Sequence, residues 1–228
     1  KTFGTSSIML GDATTGTIDA ANYNTGLGVD VFEDLTSGDN NSAFGFFALG
    51  NNTSGGNNTV VGAYAGSLNV DDAENTIVGY AANYPDGGSR VTAVGSQALN
   101  SNTASDNTAV GSLALNATVG GANNTAVGSR AGIGITSGDG NDFSGFRAGQ
   151  TTTTASANTV IGSYSLDNGA ANTGGLNTVI GHAAGRVITS GTRNTILGYD
   201  SGVAVTTGAN NVLIGGNGTG NNITTGSA

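Results

Sequence analysis

Residues 123–132 read NNTAVGSRAG, and near-copies flank them: DNTAVGSLAL at 106–115 and LNTVIGHAAG at 176–185. Aligning every copy on the Gly of N-T-A-V-G, taken as position zero, places anchors at Gly11, Gly28, Gly45, Gly62, Gly79, Gly95, Gly111, Gly128, Gly145, Gly162, Gly181, Gly198 and Gly215. Most spacings are 17 residues; two are 16 and one is 19. Self-similarity at a fixed period of this size is the mark of a repeat architecture. The thirteen units account for nearly all of residues 1–228, so a single repeat domain is expected, with no second domain beside it.

The columns of this register carry the physics. Position −4 is Asn in eleven units, with Ser7 and Val91 as the exceptions, and position −3 is Thr or Ser in ten. Positions −2 and −1 are each apolar in twelve units, Gly26 and Ser144 being the exceptions, and position +3 is Ala in eight. A helix would need a 3.6-residue stripe and good helix formers, and no unit has them. The pattern predicts a short strand over −4 to −1, a glycine-permitted bend, a small second strand and a polar turn. Stacked coils of that kind make an all-β fold, a β-solenoid or β-roll of about 13 coils of roughly 17 residues. At roughly 4.8 Å per rung, such a stack is a rod of about 60 Å.

Asn tolerates left-handed backbone and stacks into amide ladders, so the Asn column reads as structural. Asn58, Asn75, Asn107, Asn124, Asn158, Asn177 and Asn194 are its core members, with Gly62, Gly79, Gly111, Gly128, Gly162, Gly181 and Gly198 as the bend column. The many Asn-x-Thr/Ser triplets, such as Asn51-Asn52-Thr53, follow from the repeat and say little about glycosylation. The pair at −2 and −1 says more. Neighbouring strand residues point to opposite faces, so both cannot face the interior of one coil. An apolar run buried on both faces needs a cover on the outer side, since a bare stripe thirteen rungs long is a patch that monomers avoid. Another chain is the economical cover, and the sequence therefore predicts oligomerisation without fixing its order.

Composition narrows the function. Only 9% of residues are charged and 6% aromatic, too few for a conventional core. The net charge of −9 falls entirely on residues 1–114, where eleven acids face Lys1 and Arg90; residues 115–228 hold four acids and four arginines. No basic stripe exists for nucleic acid. With no cysteine, disulfides and thiolate metal sites are excluded, and no run approaches the roughly 18 apolar residues of a membrane span, so no membrane insertion is expected. The first residue is Lys1 rather than Met, which suggests a piece of a longer chain.

NNTAVGSRAG, DNTAVGSLAL and NNTVVGAYAG resemble the head repeat of trimeric autotransporter adhesins. The stretch LTSGDNNSAFGFFALGNNTSGGNNTVVG (35–62) is closer still to the N-T-A-V-G-x-x-A-L unit of bacteriophage tail fibres and related fibrous proteins. The resemblance covers all thirteen units. It implies a left-handed roll, intertwined or packed as a homotrimer, in an elongated segment concerned with attachment. The implied partners are two further copies of the chain, other virion tail proteins, and a host-surface glycan or protein receptor. The implied location is the virion, or the bacterial surface if the chain is an adhesin head. No heptad stalk or membrane anchor appears in these residues, which favours the tail fibre.

No enzyme chemistry or cofactor is expected. His182 is the only histidine and sits at +1, where other units carry Ser, Tyr or Phe. A lone histidine builds neither a multi-histidine metal site nor, without a defined Ser and acid, a triad. The acids at Asp71, Asp72 and Glu74, and at Glu33 and Asp34, could be a glycosidase pair or calcium ligands, but charged turn residues are ordinarily solvated. GIGITSG (132–138) mimics a phosphate loop without its helix. The binding candidates are instead the aromatic and basic residues at +1 and +2: Phe46, Tyr64, Tyr80, Arg130, Phe146, Arg147, Tyr164 and Tyr199. One of the two positions should face outward, where rings stack on a sugar or on another surface. Arg130 and Arg147 share position +2 in adjacent rungs, with Phe146 beside the latter; they could bind an anionic glycan, or equally salt-bridge to Asp142 or a partner chain. The stretched turn LDNGAANTGGLN (166–177) of the 19-residue unit, the Pro-containing turn NYPDGGSR (83–90) and the strand NDFSG (141–145) break the pattern, the last suggesting a local rearrangement. Two other readings remain: a monomeric solenoid whose Thr column binds ice, and a polysaccharide depolymerase.

Overall fold

The computed structural model describes residues 20–84, 87–167 and 169–216, together with the backbone of residues 8–10. Gly11, Pro85 and Asn168 lie outside the described residues. The chain is a β-solenoid of 17-residue turns, with no helix among the described residues. It divides into two compact units, Lys1–Ser112 and Leu113–Ala228. The first holds β1 (Ile8–Leu10), β2 (Thr25–Leu27), β3 (Ser42–Phe44), β4 (Thr59–Val61), β5 (Thr76–Val78), β6 (Thr92–Val94) and β7 (Thr108–Val110). The second holds β8 (Thr125–Val127), β9 (Asp142–Ser144), β10 (Thr159–Ile161), β11 (Thr178–Ile180), β12 (Thr195–Leu197) and β13 (Val212–Ile214).

Within each unit, consecutive strands pair in parallel and keep the repeat register: Thr59 lies opposite Thr76, and Val60 opposite Ile77. Each strand begins at −3, one residue later than the sequence suggests. The reason is the Asn column. The backbone N–H at −4 donates to the preceding Asn side chain instead of to a main-chain carbonyl, as Asn41 does to Asn24 Oδ1 (2.8 Å) and Asn141 to Asn124 Oδ1 (3.0 Å). The same Oδ1 also accepts from the next amide, Asn58 Nδ2 to Asn41 Oδ1 at 3.0 Å, while Nδ2 donates to a turn carbonyl one rung on, Asn41 Nδ2 to Gly55 O at 2.9 Å. A buried amide satisfied on both ends stabilises the stack; an orphaned one would cost about 1–3 kcal/mol. Val91 accepts this geometry only halfway: its N–H donates to Asn75 Oδ1 (2.9 Å), but it has no amide to pass on.

The expected second strand is absent among the described residues. After the bend the chain runs through turns, with left-handed φ at +2 and +4, as at Phe47 (56°) and Leu49 (49°), or Tyr164 (58°) and Leu166 (51°). This alternation still bonds to both neighbours: the Phe47 N–H donates back to Val29 O (2.9 Å), and the Leu49 N–H forward to Ala65 O (3.1 Å). Rung-to-rung hydrogen bonding therefore continues without a second extended segment.

The interior is filled by −2, +3, +4 and +7. The +3 alanines Ala48, Ala65, Ala82, Ala98, Ala114, Ala131, Ala148 and Ala184 are fully buried. Positions −2 and +4 compensate in volume in most rungs, Val160 with Leu166 being an exception. Ala43 shares its rung with Leu49, Ala93 with Leu99, and Gly26 with Phe32, while Val60, Phe143, Val179 and Ile196 share theirs with Gly66, Gly149, Gly185 and Gly202. A Cβ on Gly26 would sit 3.1 Å from the Phe32 ring, and one on Gly149 only 2.2 Å from Phe143. The NDFSG strand is thus no rearrangement. β9 stays in register with β8 and β10, and Phe143 is buried where Gly132 and Gly149 leave room for its ring. The added length of the 19-residue turn emerges at exposed Gly169–Ala171, and Asn172 returns to the interior, bridged to Thr152.

This complementarity makes a double-mutant test. Phe143→Ala is expected to cost about 3–5 kcal/mol through its cavity, and Gly149→Leu to be severely destabilising through overlap with the ring. The pair F143A/G149L recreates the Ala43–Leu49 arrangement and should recover most of the loss in denaturant unfolding. Simple additivity would contradict the account.

Candidate functional site

The strand alternation resolves the doubly apolar pair. Position −2 is buried in every described rung, while −3 and −1 share the outer face. Leu27, Phe44, Val61, Val127, Ile161, Leu197 and Ile214 at −1 are 38–49% exposed. The Thr column at −3 lies beside them, so each unit presents a face of threonines and aliphatic side chains. A second Thr column, at +8, escaped the sequence reading. Its hydroxyls donate to the carbonyl one rung on, as from Thr36 Oγ1 to Thr53 O (2.9 Å) and from Thr136 Oγ1 to Thr153 O (3.3 Å).

Both +1 and +2 stand outside the coil, rather than one of the two. The left-handed residue at +2 delays the inward turn until the +3 alanine. In the first unit Tyr64 is the hub: its ring meets Phe46 edge-on at 5.1 Å, Tyr80 at 6.3 Å and Tyr84 at 6.5 Å. In the second unit Phe146 meets Tyr164 at 5.3 Å, and Tyr164 meets His182 at 5.8 Å. His182 and Tyr199 stack nearly parallel, 15° apart, at 5.5 Å. The candidates therefore gather into two columns, one per unit, and the rings pack against the next rung while remaining open to solvent. His182, read from sequence as an ordinary rung residue, is the link that joins Tyr199 to its column. Arg130 stands exposed one rung before Phe146 and Arg147, with no ring or ion-pair contact recorded for it among the described residues.

Arg147 pairs with neither Asp142 nor solvent alone. Its Nε lies 3.1 Å from Asp167 Oδ2, and its guanidinium covers the Tyr164 ring at 5.2 Å. Asp167 enters through the 19-residue turn and is nearly inaccessible, its side chain 3% exposed. Burial pushes its carboxyl above the ordinary aspartate range, with Arg147 pulling it back. Elsewhere Arg186 approaches Asp200 at 3.4 Å, and Arg90 forms a two-pronged pair with Asp106 (2.7 and 2.9 Å) at the exposed −5 column. The Arg90 hydrogen bond holds Asp106 below the usual carboxylate range, but the pair is open to water and contributes little.

The acids singled out from sequence do not form a centre. Asp71 and Glu74 are exposed on the turn, and Asp72 Oδ1 accepts from Ser89 Oγ (3.2 Å). Glu33 and Asp34 follow the first described rung at +5 and +6, half-buried and exposed respectively. Among the described residues no three His, Asp or Glu side chains gather where they could hold a metal ion. GIGITSG forms a turn with Gly132 and Ile135 inside the coil.

The buried acid has a pH signature. Because its folded pKa is raised, Asp167 favours stability while protonated, and this contribution is lost as pH rises from the ordinary aspartate value through the raised one. Asp167→Asn should therefore be no less stable than wild type at neutral pH, with the difference shrinking as pH falls below the carboxylate range. A large loss at neutral pH in thermal unfolding would show that the ion pair outweighs burial.

No protein-family model, curated protein or solved structure matches the chain, so its functional reading rests on the rung geometry and the surface it presents.

Proposed function

We propose that the chain is a non-enzymatic, homotrimeric fibre module of a phage tail fibre or similar virion appendage, acting as a stiff spacer and a receptor-contact surface. The observation that carries this reading is the exposed aliphatic stripe at −1. Completing the burial of a half-exposed Val, Leu or Ile is worth roughly 1 kcal/mol. Seven such side chains give about 7 kcal/mol per chain, or about 20 kcal/mol for three. Two association steps cost an estimated ~8–30 kcal/mol, so a shared seam is favourable over the lower half of that range. The in-register rungs support three parallel copies meeting like to like. Stiffness follows from hydrogen bonds running between rungs at strand, bend and Asn column alike.

The second reading is the head of a bacterial trimeric surface adhesin. The two exposed aromatic columns favour it, since a pure spacer needs no such surface. A solitary ice-binding solenoid would use the same Thr-bearing face, but there Thr alternates with aliphatic side chains that gain more from a partner than from water.

The chain has no cysteine, which permits a clean test. In a parallel, in-register trimer Val127→Cys and Ile161→Cys meet their own counterparts, so mild oxidation should give covalent dimers at high yield. Ser137→Cys, on the exposed turn, should give few. Equal, low yields at all three positions would contradict the seam.

A further inference from the structure

Beyond the bend, the second unit has a feature that the described residues of the first lack: a cation fixed among exposed rings. Asp167 is the anchor, its buried carboxylate ion-paired on the Nε side of Arg147, whose own side chain remains 31% exposed. An arginine has five donors, and with Nε committed, its end-on pair of Nη groups is the fork left for a second carboxylate. The Tyr164 face under the guanidinium restricts its motion, so little further ordering is needed when an anion docks. Around it Phe146, Tyr164, His182 and Tyr199 continue the column with centroid spacings of 5.3–5.8 Å, on the scale of one monosaccharide per rung. Tyr199 is the most open of these rings, at 59% exposure.

We infer that this column is a subsite for a carboxylated glycan, in which Arg147 takes a uronate carboxylate and Tyr164, His182 and Tyr199 take the apolar faces of neighbouring sugars. Charge supports this choice over a basic partner or a neutral sugar alone. The second unit has four acids against four arginines, whereas the first has eleven acids against Lys1 and Arg90. Among the described residues, the first unit's own column, around Tyr64, has no fixed cation beside it. Its one described base, Arg90, is engaged by Asp106 in the −5 column. A polyanion should therefore distinguish the two columns. Other charges near the subsite are Asp142, exposed at −3 of the same rung, Arg130 one rung before, and the Arg186–Asp200 pair beyond. They balance, and Asp167 offsets Arg147 itself, so selection for a carboxylate rests on the open, oriented Nη fork and not on a net positive charge.

This inference rests on the receptor-contact part of the fibre reading and not on its oligomeric state, so the mass of each sample is measured alongside binding. The experiment is calorimetric titration of the full chain with hexagalacturonate, its fully methyl-esterified form and cellohexaose. Hexagalacturonate should bind at least tenfold more tightly than the ester, which keeps the rings and loses the charge. Arg147→Gln should weaken hexagalacturonate at least tenfold and erase its advantage over the ester. Because R147Q leaves Asp167 buried without its counter-ion, the double variant R147Q/D167N is measured too and should show the same loss. Tyr199→Ala should weaken acid and ester alike, and Tyr80→Ala in the first unit neither. No binding by a trimeric sample, equal affinity for acid and ester, or binding indifferent to R147Q and to the double variant would each overturn the subsite and leave the fibre reading standing. Charge-selective binding by a monomer would keep the subsite and remove the trimer.

Discussion

At position zero consecutive rungs come so close that a single methyl group would overlap the next backbone: a Cβ on Gly62 would lie 2.4 Å from Gly79 O, and one on Gly162 2.4 Å from Gly181 O. The same residues hold φ near 140°, where L side chains are strongly disfavoured. This contact sets how tightly rungs stack, and the remaining columns follow from it. Each −3 N–H reaches the next rung's −4 carbonyl, as from Thr59 to Asn75 (2.8 Å), and the amide ladder closes at the adjoining position. Inside so narrow a coil +3 is small in nearly every rung, alanine in eight of them, and −2 and +4 mostly share one large side chain; the rung of Val160 and Leu166, with Ser165 between them, holds two.

That narrowness explains how much could be read from the sequence. A column that tolerates one residue type is visible as soon as the repeat is aligned, so the glycine bend, the Asn ladder and the two faces of the strand were all legible. The compensation between −2 and +4 was legible in principle, because glycine follows at +4 where Phe143, Val179 or Ile196 precedes. Reading columns singly hid it, and Phe143 therefore looked like a disruption. The turns after the bend were not legible. Nothing in the letters of Phe47, Leu49 or Tyr164 announces a left-handed backbone, which their rungs impose through hydrogen bonds to both neighbours.

The candidate surface was legible in its residues and not in its connections. Aromatics recur at +1 and +2, but their meeting depends on both positions lying outside the coil. The pairing of Arg147 with Asp167 joins position +2 of one rung to position +5 of the next, where the other units carry mostly uncharged residues. Rigid columns of rings and a fixed guanidinium are consequences of one regular scaffold repeating its geometry. The Arg147–Asp167 pair is what makes the second column chemically distinct from the first.

The interior and the outer face thus make opposite demands on the strand: −2 must fit a closed coil, and −1 is left for whatever lies outside. The claim that other copies of this chain lie there is tested most directly by the mass of the purified chain in dilute solution, by sedimentation equilibrium. The account requires a stable species near three times 22.1 kDa that persists on dilution. A soluble monomer of 22.1 kDa would contradict it, and would mean that the aliphatic and threonine columns face water or a surface other than the chain itself.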